Sequence, residues 1–344
     1  MNKPLVSICI PNYNYGHYLR DCLDSILNQT YDNIEVFFRD NHSTDDSYKI
    51  ALEYREKFKK KGIFFSITEN KRNLGSDKNS KLCSRDTEGD FIYTLASDDL
   101  IKPQFIEKCI EVFDKYPNVG TVITHRDEID ENGHVTEELP FYNKSCVIKG
   151  EDQAAVYMMA GIAIPGQRMV RRSVLIKASK YQRQLEVAGD WYDNFIYSCF
   201  GDVAYITDSL MQYRVHSGNE TNESELCLLG SFEHYQLINA FRSISLSFDM
   251  KKPAERYDEA VCKLGDMCLR YALKMYKLNK KDVAERYLNL AVVYSPKIAL
   301  EEKYIELREM QNLNEEELER KLREIPDLKR NKSYDPPEGY IPLN

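Results

Sequence analysis

The chain of 344 residues contains no apolar run approaching the roughly 18–20 residues that a membrane-crossing helix requires. Its start carries no secretory leader pattern either, because the apolar run over residues 5–10 stops at Pro11 and no cleavage-like site follows. Nine cysteines are scattered without a CxxC pair, which disfavours a zinc site or a disulfide frame. Reduced, partly buried thiols in a cytosolic protein are the expectation. An excess of basic charge is also missing. The formal net charge is −8, so a nucleic-acid-binding face is not expected. A nucleotide diphosphate remains open as a ligand, since a few local cations or one metal suffice to hold it. Finally, the residues after the first apolar run, Asn12-Tyr13-Asn14-Tyr15-Gly16, do not form the basic, glycine-rich loop expected of a nucleotidyltransferase.

What is present divides into two kinds of pattern. Over residues 1–125, short apolar runs alternate with helical spacing: strands at 5–10, 34–38, 63–67, 91–95 and 119–124, helices at 18–27 and from 45 to about 60. Pro103 suits the first turn of a further helix before the last strand. Such β-α repetition implies right-handed crossovers and a mostly parallel sheet. Residues 126–222 are irregular and would form an insertion that shapes an acceptor side. Residues 223–325 show helical periodicity throughout, with a hairpin-like pair turning at 278–280 that faintly resembles a tetratricopeptide unit. This all-helical region is expected to buttress the first domain or form a homodimer contact. Residues 326–344 carry Pro326, Pro336, Pro337 and Pro342 and read as a tail.

Ligands of open parallel sheets bind beyond the carboxyl ends of the strands. Four segments would converge there: Pro11 to Asn14, Asp40 to Asp45, the stretch 70–78, and Ser97-Asp98-Asp99. Two adjacent carboxylates after a buried strand ask for a cation such as Mg²⁺ or Mn²⁺, which prefers oxygen ligands. They also suit a helix start. Asp40 could form a turn or accept a pyrimidine ring N–H, and Ser43 or Thr44 could cap the next helix. Further on, Glu186-Val187-Ala188-Gly189-Asp190-Trp191 places an acid on a glycine turn, as a general base or as a helix cap. His216 could meet a diphosphate or metal, or lie as an ordinary surface histidine.

Taken in order, the strings VSICIPNYN, SILNQTYDNIEVFFRDNHSTDD, NLGSDKN, GDFIYTLASDD and AGDW resemble glycosyltransferase family 2 over about residues 4–216. The resemblance implies an α/β GT-A fold with a Rossmann-like, mostly parallel N-terminal sheet. It also implies a UDP- or dTDP-sugar donor, a divalent metal (Mn²⁺ or Mg²⁺) and inversion at the anomeric carbon. Pro11 and Tyr13 would line the base and ribose pocket, and Asp40 would hold the ring N–H. Lys78 would stand near base or phosphates, in place of the family's arginine. Asp98 would contact the ribose or the metal shell, Asp99 would ligate the metal, and Asp190 would be the catalytic base, with Trp191 and His216 as further site candidates. The family's Asp-x-Asp-Asp string here begins with Ala96, which leaves two acids instead of three. A hydroxyl acceptor on a glycan, lipid-linked glycan or protein, in surface glycan or glycoprotein synthesis, is the implied partner. The implied location is cytoplasmic, with peripheral contact at the inner membrane face. The alternative is a non-catalytic scaffold with a degenerate transferase domain whose helices bind a partner.

Overall fold

The computed structural model describes residues 3–181, 183, 185, 188–216, 226–325 and 332–343. The expected N-terminal α/β layer is present. Strand β1 (Val6–Asn12) lies between β2 (Ile34–Asp40) and β4 (Phe91–Thr94), and β3 (Phe64–Glu69) extends the sheet beyond β2; all three pairings are parallel. Helices α1 (Gly16–Leu27) and α2 (Ser47–Lys60) cover one face, with α3 (Ser76–Cys83) on the other. The 3.6-residue spacing of Leu19, Cys22, Leu23 and Ile26 places all four in the core under that sheet.

The sheet then departs from a simple parallel order. Beside β4 runs β9 (Arg168–Arg171), antiparallel to both β4 and β6 (Val119–Ile129). Next, β6 pairs in parallel with the 13-residue strand β10 (Asp202–Arg214), and short β5 (Leu100–Ile101) and β7 (Val135–Thr136) pair with β10 and β6. Two parallel blocks are thus joined by one antiparallel strand that belongs to the irregular insertion. Helix α4 (Phe105–Lys115) starts two residues after Pro103, which precedes the helix instead of opening it; the proline carbonyl accepts the Thr30 N–H at 2.9 Å.

The insertion adds β8 (Cys146–Ile148), α5 (Gly150–Tyr157), α6 (Arg172–Ala178) and α7 (Gly189–Ser198). Beyond it come α8 (Leu229–Ser247), α9 (Lys251–Glu255), α10 (Tyr257–Lys277), α11 (Lys281–Tyr294), α12 (Glu302–Glu309) and α13 (Glu315–Glu324). The hairpin read at 278–280 is the α10–α11 turn. At Gly265 the backbone of α11 comes so close that a Cβ would lie 3.0 Å from the Ala291 carbonyl oxygen. Among the described residues the helical region forms no core of its own. Ile123, Tyr205 and Phe195 share one apolar cluster with Phe241, Leu273 and Leu288, so burial is continuous from sheet to helices.

The boundary at 222–223 and Pro326 lie outside the described residues. The expectation of a tail is corrected for 332–343. Here β11 (Ile341–Pro342) pairs antiparallel with β8, Tyr334 bridges to Tyr142, and the Leu343 N–H donates to the Ser145 carbonyl at 3.0 Å. Proline is tolerated on an edge strand, whose outer N–H faces no partner, so Pro342 did not exclude pairing.

Candidate active site

The carboxyl ends of β1 and β2 meet in register at Asn12 and Asp40. Asp40 is fully buried. Its Oδ1 accepts from Asn12 Nδ2 at 2.8 Å and from the Ser43 hydroxyl at 2.7 Å, and its Oδ2 accepts the Ser43 N–H at 2.7 Å. Asp40, expected from the sequence to hold a base N–H, is here engaged by Asn12 and Ser43 and braces the ends of β1 and β2. Ser43 likewise serves Asp40 instead of capping α2. Asp45 instead ties α1 to α2, accepting the Gly16 N–H at 2.8 Å and the Ser47 N–H at 3.0 Å. An asparagine network continues the floor: Asn70 Nδ2 donates to Asn41 and Asn79 at 2.9 and 2.8 Å.

Asp98 and Asp99 follow β4 and are buried. The acidic pair is held from β10. The Arg214 N–H donates to Asp99 Oδ1 at 2.9 Å, Arg214 Nε donates to the Asp98 carbonyl at 2.9 Å, and Nη1 reaches the Asp130 carbonyl at 3.0 Å. The guanidinium also lies over the Tyr18 ring, 4.4 Å from its centroid. His216 Nε2 stands 3.1 Å from Asp98 Oδ2. Burial, and next the charge of Asp98, push the Asp99 carboxyl well above the usual range, only partly opposed by the Arg214 N–H. No group of three His, Cys, Asp or Glu side chains suited to a metal occurs among the described residues. The donor chemistry still fits a hard cation held by one or two carboxylates and completed by substrate phosphates.

Asp190 occupies the first turn of α7. Burial raises its carboxyl to about 6; Arg168 opposes the rise and Asp193 adds to it. Buried Arg168 on β9 fixes this turn, donating to the Asp190 carbonyl at 3.1 Å, to Asn194 Oδ1 at 2.7 Å and to Asp193 Oδ2 at 3.3 Å. Asn194 in turn holds the carbonyls of Ile162 and Ala163, both at 2.9 Å, and so pins the loop between α5 and β9. In that loop Gly166 sits against Asp99: a Cβ there would be 3.6 Å from Asp99 Oδ2 and 2.6 Å from the Met211 methyl.

Trp191 does not join the site. Its indole N–H donates to the Tyr157 carbonyl at 2.5 Å and its ring packs near His234 and Phe241. Glu186 and Val187 lie outside the described residues.

One cavity of about 1770 Å³ brings these parts together. Pro11, Tyr13, Asp98, Asp99, Asp190 and His216 all line it. Lys78 does not: it is exposed on α3, and Lys81, paired with Asp77 at 2.8 Å, lines the wall instead. Sequence reasoning also missed Arg168, Arg214 and Asn194. Each is a buried polar side chain on a strand or helix, a signal that needs burial to be seen.

Residues 7–178, half of the chain, match the family described as Glycosyl transferase family 2. Among curated relatives, chondroitin synthase of Escherichia coli is 36% identical over 38% of this chain, a match that spans 18% of that protein. An uncharacterised glycosyltransferase of Rickettsia typhi is 29% identical over 69% of this chain and 70% of its own. Among solved structures, S. aureus TarS in complex with UDP-GlcNAc aligns with a TM-score of 0.57 at 16% identity, covering 86% of this chain and 92% of that one. TarS in complex with UDP aligns at 0.53 and 17% identity, covering 92% and 91%. At such identities these structures establish the fold, which is the GT-A arrangement. With the family match covering half of its length, the chain belongs to glycosyltransferase family 2 and is a glycosyltransferase.

Proposed function

We propose that this glycosyltransferase moves a sugar from a UDP-sugar, or its dTDP counterpart, to a hydroxyl acceptor with inversion, and that Asp190 is the base. The observation that carries the reading is the placement of a carboxyl raised to about 6 on the same cavity as Tyr13, Asp98 and Asp99. A base whose affinity for protons lies near the working pH is both free to accept and strong enough to pull. In the reaction the acceptor oxygen attacks the anomeric carbon opposite the diphosphate. The bond to the diphosphate oxygen breaks, and the acceptor proton passes to an Asp190 oxygen. Tyr13 and Pro11 would pack the nucleoside. TarS, which shares the fold, binds UDP and UDP-GlcNAc, and this favours uridine as the first donor base to try.

Asp98 and Asp99 would hold a divalent cation together with the donor phosphates. When bound, it would neutralise charge on the leaving diphosphate. A thermal-shift screen of UDP- and dTDP-sugars, with and without Mn²⁺, tests donor and metal together, because a ligand that binds the folded state raises its melting temperature. The expected result is a Mn²⁺-dependent rise with a uridine nucleotide. No shift with any uridine or thymidine nucleotide would remove the reading.

A further inference from the structure

The helical region reaches the catalytic turn directly. Helix α8 opens at Leu228, a buried leucine with φ of 61°. Bulky residues adopt that left-handed conformation only where the surroundings impose it. About one turn on, Glu233 is 6% exposed, and its Oε2 accepts the Ala188 N–H at 3.0 Å. Ala188 is itself buried and is the residue from which α7 departs, its carbonyl accepting the Tyr192 N–H at 3.1 Å. Next along α7 come Gly189 and then Asp190. The same two helices stack through Phe195 and Phe241, whose rings lie 4.0 Å apart at 11°, and Trp191 packs 5.1 Å from His234. A carboxylate is costly to bury and is retained where its hydrogen bonds do something an apolar side chain cannot.

We infer that Glu233 is a positioning residue for Asp190. From the C-terminal helices it fixes the peptide from which the base-bearing turn departs, so those helices belong to the catalytic apparatus as well as to the core. This rests on the reading of Asp190 as the base. The charged groups around Asp190 are Arg168 on β9 and Asp193 on α7; Tyr197 adds a hydroxyl from α7, and α8 brings Glu233 and His234 against the segment. Arg168 holds the Asp190 carbonyl, and Glu233 holds the peptide N–H two residues earlier. The turn is thus clamped from the sheet and from the helices. Misplacing a reacting group by about 1 Å costs on the order of a hundredfold in rate.

The test compares Glu233→Ala, Glu233→Gln and Asp190→Asn in the full chain. UDP binding is measured by calorimetry and UDP release from UDP-N-acetylglucosamine is followed across pH. Amide exchange is followed over residues 188–193. Glutamine still presents an oxygen to the Ala188 N–H; alanine does not. Expected for Glu233→Ala are UDP affinity within about twofold of wild type, turnover lower by about ten- to a hundredfold, and faster exchange at 188–193. Its acid limb should also move down as the released turn is hydrated. Glu233→Gln should recover most of the turnover. Unchanged turnover and exchange in Glu233→Ala would overturn the inference. So would parallel losses of turnover, UDP affinity and melting temperature in both Glu233 variants. Full turnover by Asp190→Asn would instead remove the reading of the base itself, whereas a dead Asp190→Asn beside an unaffected Glu233→Ala removes only the role of Glu233.

Discussion

Arg214 grips Asp99 and Asp98 by different parts of itself: its main-chain N–H donates to Asp99 Oδ1 at 2.9 Å, and its Nε donates to the Asp98 carbonyl at 2.9 Å. One residue at the end of β10 therefore sets the acidic pair that follows β4. Replacing Arg214 by Ala keeps the first bond and loses the second, together with that to the Asp130 carbonyl. The buried Asp98 carbonyl loses its donor, at about 1–3 kcal/mol, whereas the Asp130 carbonyl keeps the Gly133 N–H at 3.1 Å. Arg214→Ala should lower the denaturant midpoint accordingly and weaken UDP binding. Arg214→Lys should recover little, since one ammonium cannot reproduce both side-chain bonds and the planar contact with Tyr18. A variant as stable as wild type in urea unfolding would contradict this.

Asp190→Asn should lower turnover by about 10²–10⁴-fold while UDP affinity, measured by calorimetry, stays within a few-fold. Near-normal turnover would show that another group takes the proton.

The pH dependence has a definite sign. Asp190 accepts a proton only when ionised, and its carboxyl lies at about 6, so turnover should rise with pH through an acid limb near that value. For stability the sign is opposite. A carboxyl raised in the folded state favours folding below its unfolded value near 4, and that contribution is lost as pH rises through about 6. Asp190→Asn should thus be more stable than wild type at pH 8, by about 1–3 kcal/mol after allowance for partial exposure, with the gain disappearing near pH 4. Urea unfolding at both pH values measures it; equal differences at the two would refute it.

Asp40→Ala separates a brace from a ligand contact. Because Asn12 and Ser43 occupy both carboxylate oxygens, the variant should lose about 2–4 kcal/mol of stability even without nucleotide. A contact residue would weaken UDP binding and leave the melting temperature of the free protein alone.

Removing residues 332–344 should uncover the β8 edge. A melting temperature lowered by a few degrees, with more aggregation on concentration, is the expected outcome, since an unpaired strand edge templates association. Light scattering equal to that of the full chain would argue that β8 needs no cover.

Much of the site was legible because strand ends speak locally. The runs ending at Asn12, Asp40 and Thr94 are short, apolar and followed by polar turns, so both the strands and their shared edge follow from local pattern. Asp98, Asp99 and Asp190 could be singled out for the same reason, as acids at the junction of a strand or a helix. Lys78 was misplaced because α3 turns successive residues about 100° apart, and a string cannot say which lysine faces inward. Trp191 likewise follows the candidate base in sequence, while in space its ring packs near His234 and Phe241.

The sequence by itself determined the parallel layer, its polar edge and the helical C-terminal region through periodicity and short-range order, and the family through the resemblance of its ordered strings. Only the tertiary structure decided that β9 runs antiparallel between two parallel blocks and that residues 332–343 return to the sheet. It also decided that Arg214 bonds Asp98 and Asp99, that Arg168 bonds the Asp190 carbonyl and that Glu233 accepts the Ala188 N–H, each from another element. Those relations join residues up to about two hundred positions apart, and their energy comes from burial and hydrogen bonding that exist only once the layers have packed.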